Sequence, residues 1–131
     1  MSDTNQLRIE YDPVRNIVFT EDHWDVKTKE DVDQFFEEHR KFFESLNKKV
    51  YMISNIDNLR VHAAVAEYYG ETAKSTVGHY LLGFARWGTD DVARMTVRTS
   101  SLKAKLESNI FNTREEAIVY IEGLKKSQEP S

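Results

Sequence analysis

Apolar positions follow two kinds of period along this chain. Leu7, Ile9 and Tyr11 alternate with Gln6, Arg8 and Glu10, a period of two that predicts a strand over 6–11 with one buried and one wet face. Asp12-Pro13-Val14-Arg15-Asn16 supplies turn residues, and Ile17-Val18-Phe19-Thr20 resumes an extended run. The two segments read as a hairpin that ends at Glu21-Asp22-His23-Trp24-Asp25.

The period then changes. Val32, Phe35, Phe36, His39, Phe42, Phe43 and Leu46 recur every three or four residues, which places them on one stripe of a helix facing a core. Thr28 with Asp31 three residues on has the form of a capping box, and Asn47-Lys48-Lys49 closes the helix.

The stretch Val50 to His62 organises the rest. Val50-Tyr51-Met52-Ile53 is a continuous apolar run, the signature of a central strand covered on both faces. It meets a polar corner, Asn55-Ile56-Asp57-Asn58. Beyond it Val61, Ala64, Val65, Tyr68, Tyr69 and Thr72 share one helical face, predicting a second helix over 59–74 with Asp57 or Asn58 as its N-cap.

Tyr80 to Ala85 reads as another buried strand closed by Arg86-Trp87-Gly88. Thr89 is the expected cap of a third helix whose seam is Val92, Met95, Thr99, Leu102 and Leu106, with Asp90 and Asp91 at its positive end. Asn109-Ile110-Phe111 is a short last strand. Thr113 and Glu116 open a final helix with Ala117, Tyr120, Ile121 and Leu124 toward the core, and 127–131 reads as a frayed polar tail. The order β-β-α-β-α-β-α-β-α predicts an α/β fold, a mixed sheet with right-handed parallel crossovers, one antiparallel member from the hairpin, and helices packed on it.

At 131 residues the chain reads as one domain over 1–131, with a core spanning about 6–125 and short polar ends. A net charge of −4, spread along the chain, argues against nucleic acid or an anionic membrane surface as the main partner. There is no cysteine, which excludes disulfides, thiolate catalysis and cysteine-based metal sites. The opening MSDTNQ lacks a basic segment followed by an apolar one, no run approaches the length of a membrane span, and a cytoplasmic location is the expectation.

No Gly-x-Ser-x-Gly elbow, phosphate-binding loop or dinucleotide fingerprint occurs, so no catalytic residue and no cofactor is assigned. His23 between Asp22 and Asp25 lacks a helical His-x-x-x-His companion, and no metal site is assigned. His39, amid an apolar stripe, reads as a core histidine with one hydrogen-bond partner. In a parallel sheet the residues just past the strand C-termini share a rim where ligands bind. That rim is expected to gather His23, Trp24, Asn55, Asp57, Asn58, Arg86, Trp87 and Asn112. Trp24, Asn55, Asp57, Asn58, Arg86 and Trp87 are the binding candidates, although capping alone accounts for Asp57 and Asn58. Arg94, Arg98 and Lys105 line one flank of the third helix, as a solvated face or as one that meets an acidic partner.

The element order, the apolar strand running into a polar segment before helix two, and the ending Ile110-Phe111-Asn112-Thr113-Arg114-Glu115-Glu116-Ala117 resemble the STAS superfamily, and within it the SpoIIAA-like proteins. The resemblance implies a regulatory, non-enzymatic protein-interaction module similar to anti-sigma-factor antagonists. Members of that superfamily often carry Asp-Ser-Ser-Gly before helix two. Here Asp57 matches the Asp, no hydroxyl follows it, and Ser54 is left as the phosphoacceptor candidate. Some SpoIIAA-like members resemble lipid-binding folds, so the alternative is a carrier or sensor of a small apolar, lipid-like ligand between helix one and the sheet. A protein partner at Asn55 to Asn58 and the start of helix two is the first expectation, and a homodimer is compatible with it.

Overall fold

The computed structural model describes residues 5–128. The elements are β1 (Gln6–Asp12), β2 (Ile17–Val26), α1 (Lys29–Leu46), β3 (Val50–Val61), a 3-10 turn over Ala63–Val65, α2 (Ala66–Tyr80), β4 (Leu81–Trp87), α3 (Asp91–Ala104), β5 (Ile110–Phe111) and α4 (Arg114–Gln128). The sheet order is β1-β2-β3-β4-β5, with β1 antiparallel to β2 and every later pair parallel. This is the predicted mixed α/β sheet with four helices. No helix among the described residues is long and apolar enough to cross a membrane.

The helices divide unequally between the two faces. α1, α2 and α3 cover one, where Trp24, Val26, Ile56 and Leu59 meet Phe35, Tyr69 and Val97. α4 alone covers part of the other, where Ile17, Tyr51, Ile53 and Ala85 meet Ala117 and Ile121. On that second face the outward side chains of β1 remain wet, as their alternation predicts.

Two strands are longer than the sequence pattern suggested. β2 does not stop at Thr20 but continues to Val26, with Val18, Thr20, Asp22, Trp24 and Val26 all buried on the three-helix side. β3 does not stop at Ile53. The supposed corner is strand, and the register slips there: Glu21 pairs with Asn55, then His23 with Asn58. A single residue of β2, Asp22, therefore faces two of β3, a β-bulge at Ile56-Asp57. The bulge lets Ile56 and Leu59, three apart, both point inward at 0% exposure. That spacing imitates a helical turn in the sequence.

The second helix accordingly begins at Ala66 and runs to Tyr80 rather than spanning 59–74. Neither Asp57 nor Asn58 caps it. α3 is capped by Asp90, whose side chain accepts the Ala93 N–H at 2.9 Å, and not by Thr89. The capping box of Thr28 and Asp31 forms as read. At α4, Thr113 accepts the Glu116 N–H at 3.1 Å, while the Glu116 carboxylate accepts the N–H of Asn112. α4 continues through Ser127 and Gln128, where a frayed tail was expected; the rest of that tail and residues 1–4 lie outside the described residues.

The seam of α3 is inverted relative to the sequence reading. Its buried residues are Ala93, Val97, Ser100, Ser101 and Ala104, whereas Val92, Met95 and Leu102 are 48%, 58% and 70% exposed. Of the expected seam, Leu106, just past the helix, packs against a core cluster. The cause is the close approach of α2. A Cβ at Gly70 would lie 2.9 Å from the Cβ of Ala104, so only small side chains fit between the two helices, and α3 turns its large ones outward.

Candidate functional site

Register brings three polar side chains into one row on the three-helix face of the sheet. Thr20 of β2 pairs with Ser54 of β3, and Ser54 pairs with Arg86 of β4. Thr20 Oγ1 lies 2.8 Å from Ser54 Oγ and 2.8 Å from Asp22 Oδ1. A carboxylate oxygen accepts only, so the Thr20 hydroxyl donates to Asp22 and accepts from Ser54.

Above this row the helices add His39 from α1 and Tyr69 from α2. Asp22, His39, Tyr69 and Arg86 are each more than nine-tenths buried. They share the lining of a narrow, partly open space of about 30 Å³ whose other walls include Phe35, Phe36, Met52 and Phe84. His39 Nδ1 lies 2.9 Å from the Phe35 carbonyl oxygen, which can only accept. Nδ1 therefore carries the hydrogen, and the predicted core histidine with one partner is found. Arg86 Nη1 donates to Ser101 Oγ at 3.2 Å and to the Ser108 carbonyl at 2.9 Å, while Phe84 packs under the guanidinium, 5.0 Å from ring centre to Cζ.

These groups interact through charge without saturating one another. Burial pushes the Asp22 carboxyl up against the opposing pull of His39, the Thr20 hydrogen bond and Arg86. Burial likewise pushes the Arg86 guanidinium down, opposed by Tyr69 and Asp22, and pushes the Tyr69 hydroxyl up. Among the described residues the second Asp22 oxygen, His39 Nε2, the Tyr69 hydroxyl, and Arg86 Nε and Nη2 have no protein hydrogen-bond partner. Yet among the described residues the only buried side-chain nitrogen and oxygen atoms both sealed from water and unpaired are Trp24 Nε1 and Ser100 Oγ. The unpaired atoms of Asp22, His39, Tyr69 and Arg86 therefore keep some accessible surface, and all four residues line the same space.

The six rim candidates separate into four environments. Trp24 is in the core, in edge contact with Phe35 at 5.5 Å, and does not lie on a rim. Arg86 belongs to the buried row. Asn55 and Trp87, on the opposite face, line a shallow hollow of about 150 Å³ with Phe19, Arg8 and Arg114, and Asn55 and Asn58 line an adjoining one with His23 and Glu21. Asp57 serves the fold: its Oδ1 accepts the N–H groups of Thr89 at 2.8 Å and Asp90 at 3.0 Å, holding the turn before α3. Burial alone would raise the Asp57 carboxyl, but those two N–H groups, the Asn55 amide and the nearby Arg60 guanidinium hold it below the ordinary carboxylate range. Ser54 is 2% exposed, with its hydroxyl bonded inside the row, so the folded chain presents no hydroxyl at that position to a kinase. The expected surface of Asn55 to Asn58 with the start of helix two does not form, because those residues are mid-strand and the helix starts eight residues after Asn58.

Asp22, His39 and Tyr69 were not among the sequence candidates. The available signal was phase: Thr20 and Asp22 fall on the same period-two register as Val18, Trp24 and Val26, but only once β2 is read through to Val26. Among the described residues no group of three or more His, Asp or Glu side chains is placed to hold a metal ion. On the outer surface, Val92, Met95 and Leu102 share one stripe of α3 with exposed Arg98 and Lys103, and with Lys105 just beyond the helix. Arg94 is tied down, donating to the Gly88 and Phe111 carbonyls at 2.6 and 3.1 Å. No protein-family model matches this chain, and no curated protein matches it.

Proposed function

We propose that this chain is a non-enzymatic protein-interaction module that docks an acidic amphipathic helix on the outer face of α3. The observation that carries the reading is the exposure of Val92, Met95 and Leu102 on one helical stripe. Large apolar side chains scattered singly on a surface need no explanation, but three at helical spacing on one face match the anchors by which a partner helix is held. The charges beside them select the partner. Apart from Asp91 at its start, the flank is Arg98, Lys103 and Lys105, a basic strip on a chain of net charge −4. Two copies of α3 would bring these cations together, whereas a helix with glutamate flanks neutralises them.

The resemblance to STAS proteins in element order and in the segment 110–117 supports a regulatory interaction role, with the docking surface moved from the expected Asn55–Asn58 segment to α3. The alternative of a lipid-like cargo between helix one and the sheet is less well supported. Pockets for such ligands occupy several hundred Å³, against about 30 Å³ here.

The test uses a synthetic helix with leucines at the same spacing and glutamate flanks, and a twin with lysine flanks. Amide shifts on α3 are expected with the glutamate peptide alone. Met95→Glu should abolish them, and Arg98→Glu should weaken them while admitting the lysine twin. If neither peptide moves α3, the reading fails. If sedimentation instead finds self-association that Met95→Glu removes, the occupant is a second copy and the acidic-helix reading fails.

A further inference from the structure

We propose that the space bounded by Asp22, His39, Tyr69 and Arg86 is a binding site for a small uncharged molecule bearing one carbonyl-type acceptor and one N–H or O–H donor, of which a primary amide is the simplest form. The inference stands independently of α3 and concerns the opposite side of the same helix layer.

Four ionisable side chains from β2, α1, α2 and β4 converge here, all more than nine-tenths buried. A core selected for stability alone pairs a buried carboxylate directly with its guanidinium or replaces both with apolar groups. In this chain Asp22 and Arg86 influence each other through charge without a direct hydrogen bond, and the space lies among them.

The hydrogen-bond inventory defines the ligand. Arg86 Nε and Nη2 and the Tyr69 hydroxyl offer donors. The second Asp22 oxygen offers an acceptor, and His39 turns toward it the Nε2 that is not committed to the Phe35 carbonyl. A carbonyl oxygen satisfies the first set and an N–H the second. Charge disfavours the ions: Asp22 and Arg86, when both are ionised, sum to no net charge, so an anion or a cation would leave a net charge buried among Phe35, Phe36 and Phe84. Size sets the scale. One water needs roughly 10–15 Å³ of such space, so about 30 Å³ holds two waters or a molecule of a few heavy atoms. Phe36, Thr76 and Val77 line the space and are half-buried, which places its contact with solvent at the seam between α1 and α2.

Acetamide, acetate and acetamidinium share one shape and differ in charge, so the three titrated against the isotopically labelled protein form the test. Acetamide is expected to shift the amides of Phe36, Tyr69 and Ala73 saturably, with acetate and acetamidinium at least tenfold weaker. Tyr69→Phe, which removes only the hydroxyl, should weaken acetamide about tenfold, the loss of one hydrogen bond. Asp22→Asn, which leaves Arg86 uncancelled, should turn the preference to acetate. Preference of the wild-type protein for acetate or acetamidinium would overturn the assignment. So would the absence of any saturable shift with all three probes, which would make the space a hydrated part of the core.

Discussion

A Cβ placed on Gly70 would lie 2.2 Å from the backbone carbonyl oxygen of Ser100, so α2 and α3 meet backbone to side-chain-free backbone. Ala is the better helix former by about 1 kcal/mol, and on propensity alone Gly70→Ala would stabilise α2. The clash reverses the sign: overpacking of this kind costs about 1–3 kcal/mol, and the net effect expected is a lower urea midpoint. An unchanged midpoint would mean that the two helices separate without penalty and that their contact does not set the orientation of α3.

Asp57 ties β3 to the turn before α3. Asp57→Ala removes the acceptor of two backbone N–H groups and is expected to destabilise by about 1–2 kcal/mol, below the range for fully buried charged acceptors because the site is half-exposed. The folded carboxyl titrates below its ordinary value of 3.8. Its contribution is therefore complete above that value and is lost as pH falls through the folded value. Urea unfolding from pH 7 downward should narrow the gap between the wild type and the variant only below pH 3.8.

Asp22 has the opposite sign. Its folded carboxyl is raised above 3.8 by burial, a balance that already includes the pull of His39 and Arg86. Its contribution is fully present below 3.8 and is lost as pH rises through the folded value. Asp22→Asn, which resembles the protonated acid, is expected to match the wild type near pH 3 and to be at least as stable at pH 7. A variant clearly less stable at pH 7 would show that the charge of Asp22 supports the fold through Arg86.

Ser54 donates to Thr20 inside the core row. Ser54→Ala should cost about 1 kcal/mol, the net worth of one such bond. Ser54→Glu, a common stand-in for phosphoserine, would place an unpaired charge at a buried position and is expected to unfold the chain, read as loss of the circular dichroism signal at room temperature. A folded Ser54→Glu protein would reopen this position to phosphorylation.

Much of this architecture was legible because burial and period agreed. The seven-residue stripe of α1, the alternation of β1 and the threonine boxes at Thr28 and Thr113 each rest on local chemistry that the fold left intact. The failures share a different cause, in that a tertiary partner decided the outcome. The bulge opposite Asp22 gave Ile56 and Leu59 the spacing of a helix while keeping them in a strand. The bare backbone of Gly70 turned Val92, Met95 and Leu102 outward, though their spacing is that of a core seam. The polar chamber stayed hidden because β2 was read as ending at Thr20, before the phase of Asp22 could be seen. Arg86 was found as a candidate for the wrong reason, as a rim residue and not as the inner end of a polar row.

The strand order β1-β2-β3-β4-β5 also bears on how the molecule is made. Each strand pairs with the one synthesised just before it, so every new strand arrives at an edge that already exists, and no earlier pair has to open to admit it. Loop closure is thereby limited to one crossover at a time, the arrangement that keeps contact order low for a parallel sheet. A chain leaving the ribosome from its N-terminus can add strand after strand outward from the β1–β2 hairpin, with the two residues of β5 and the docking of α4 as the closing step.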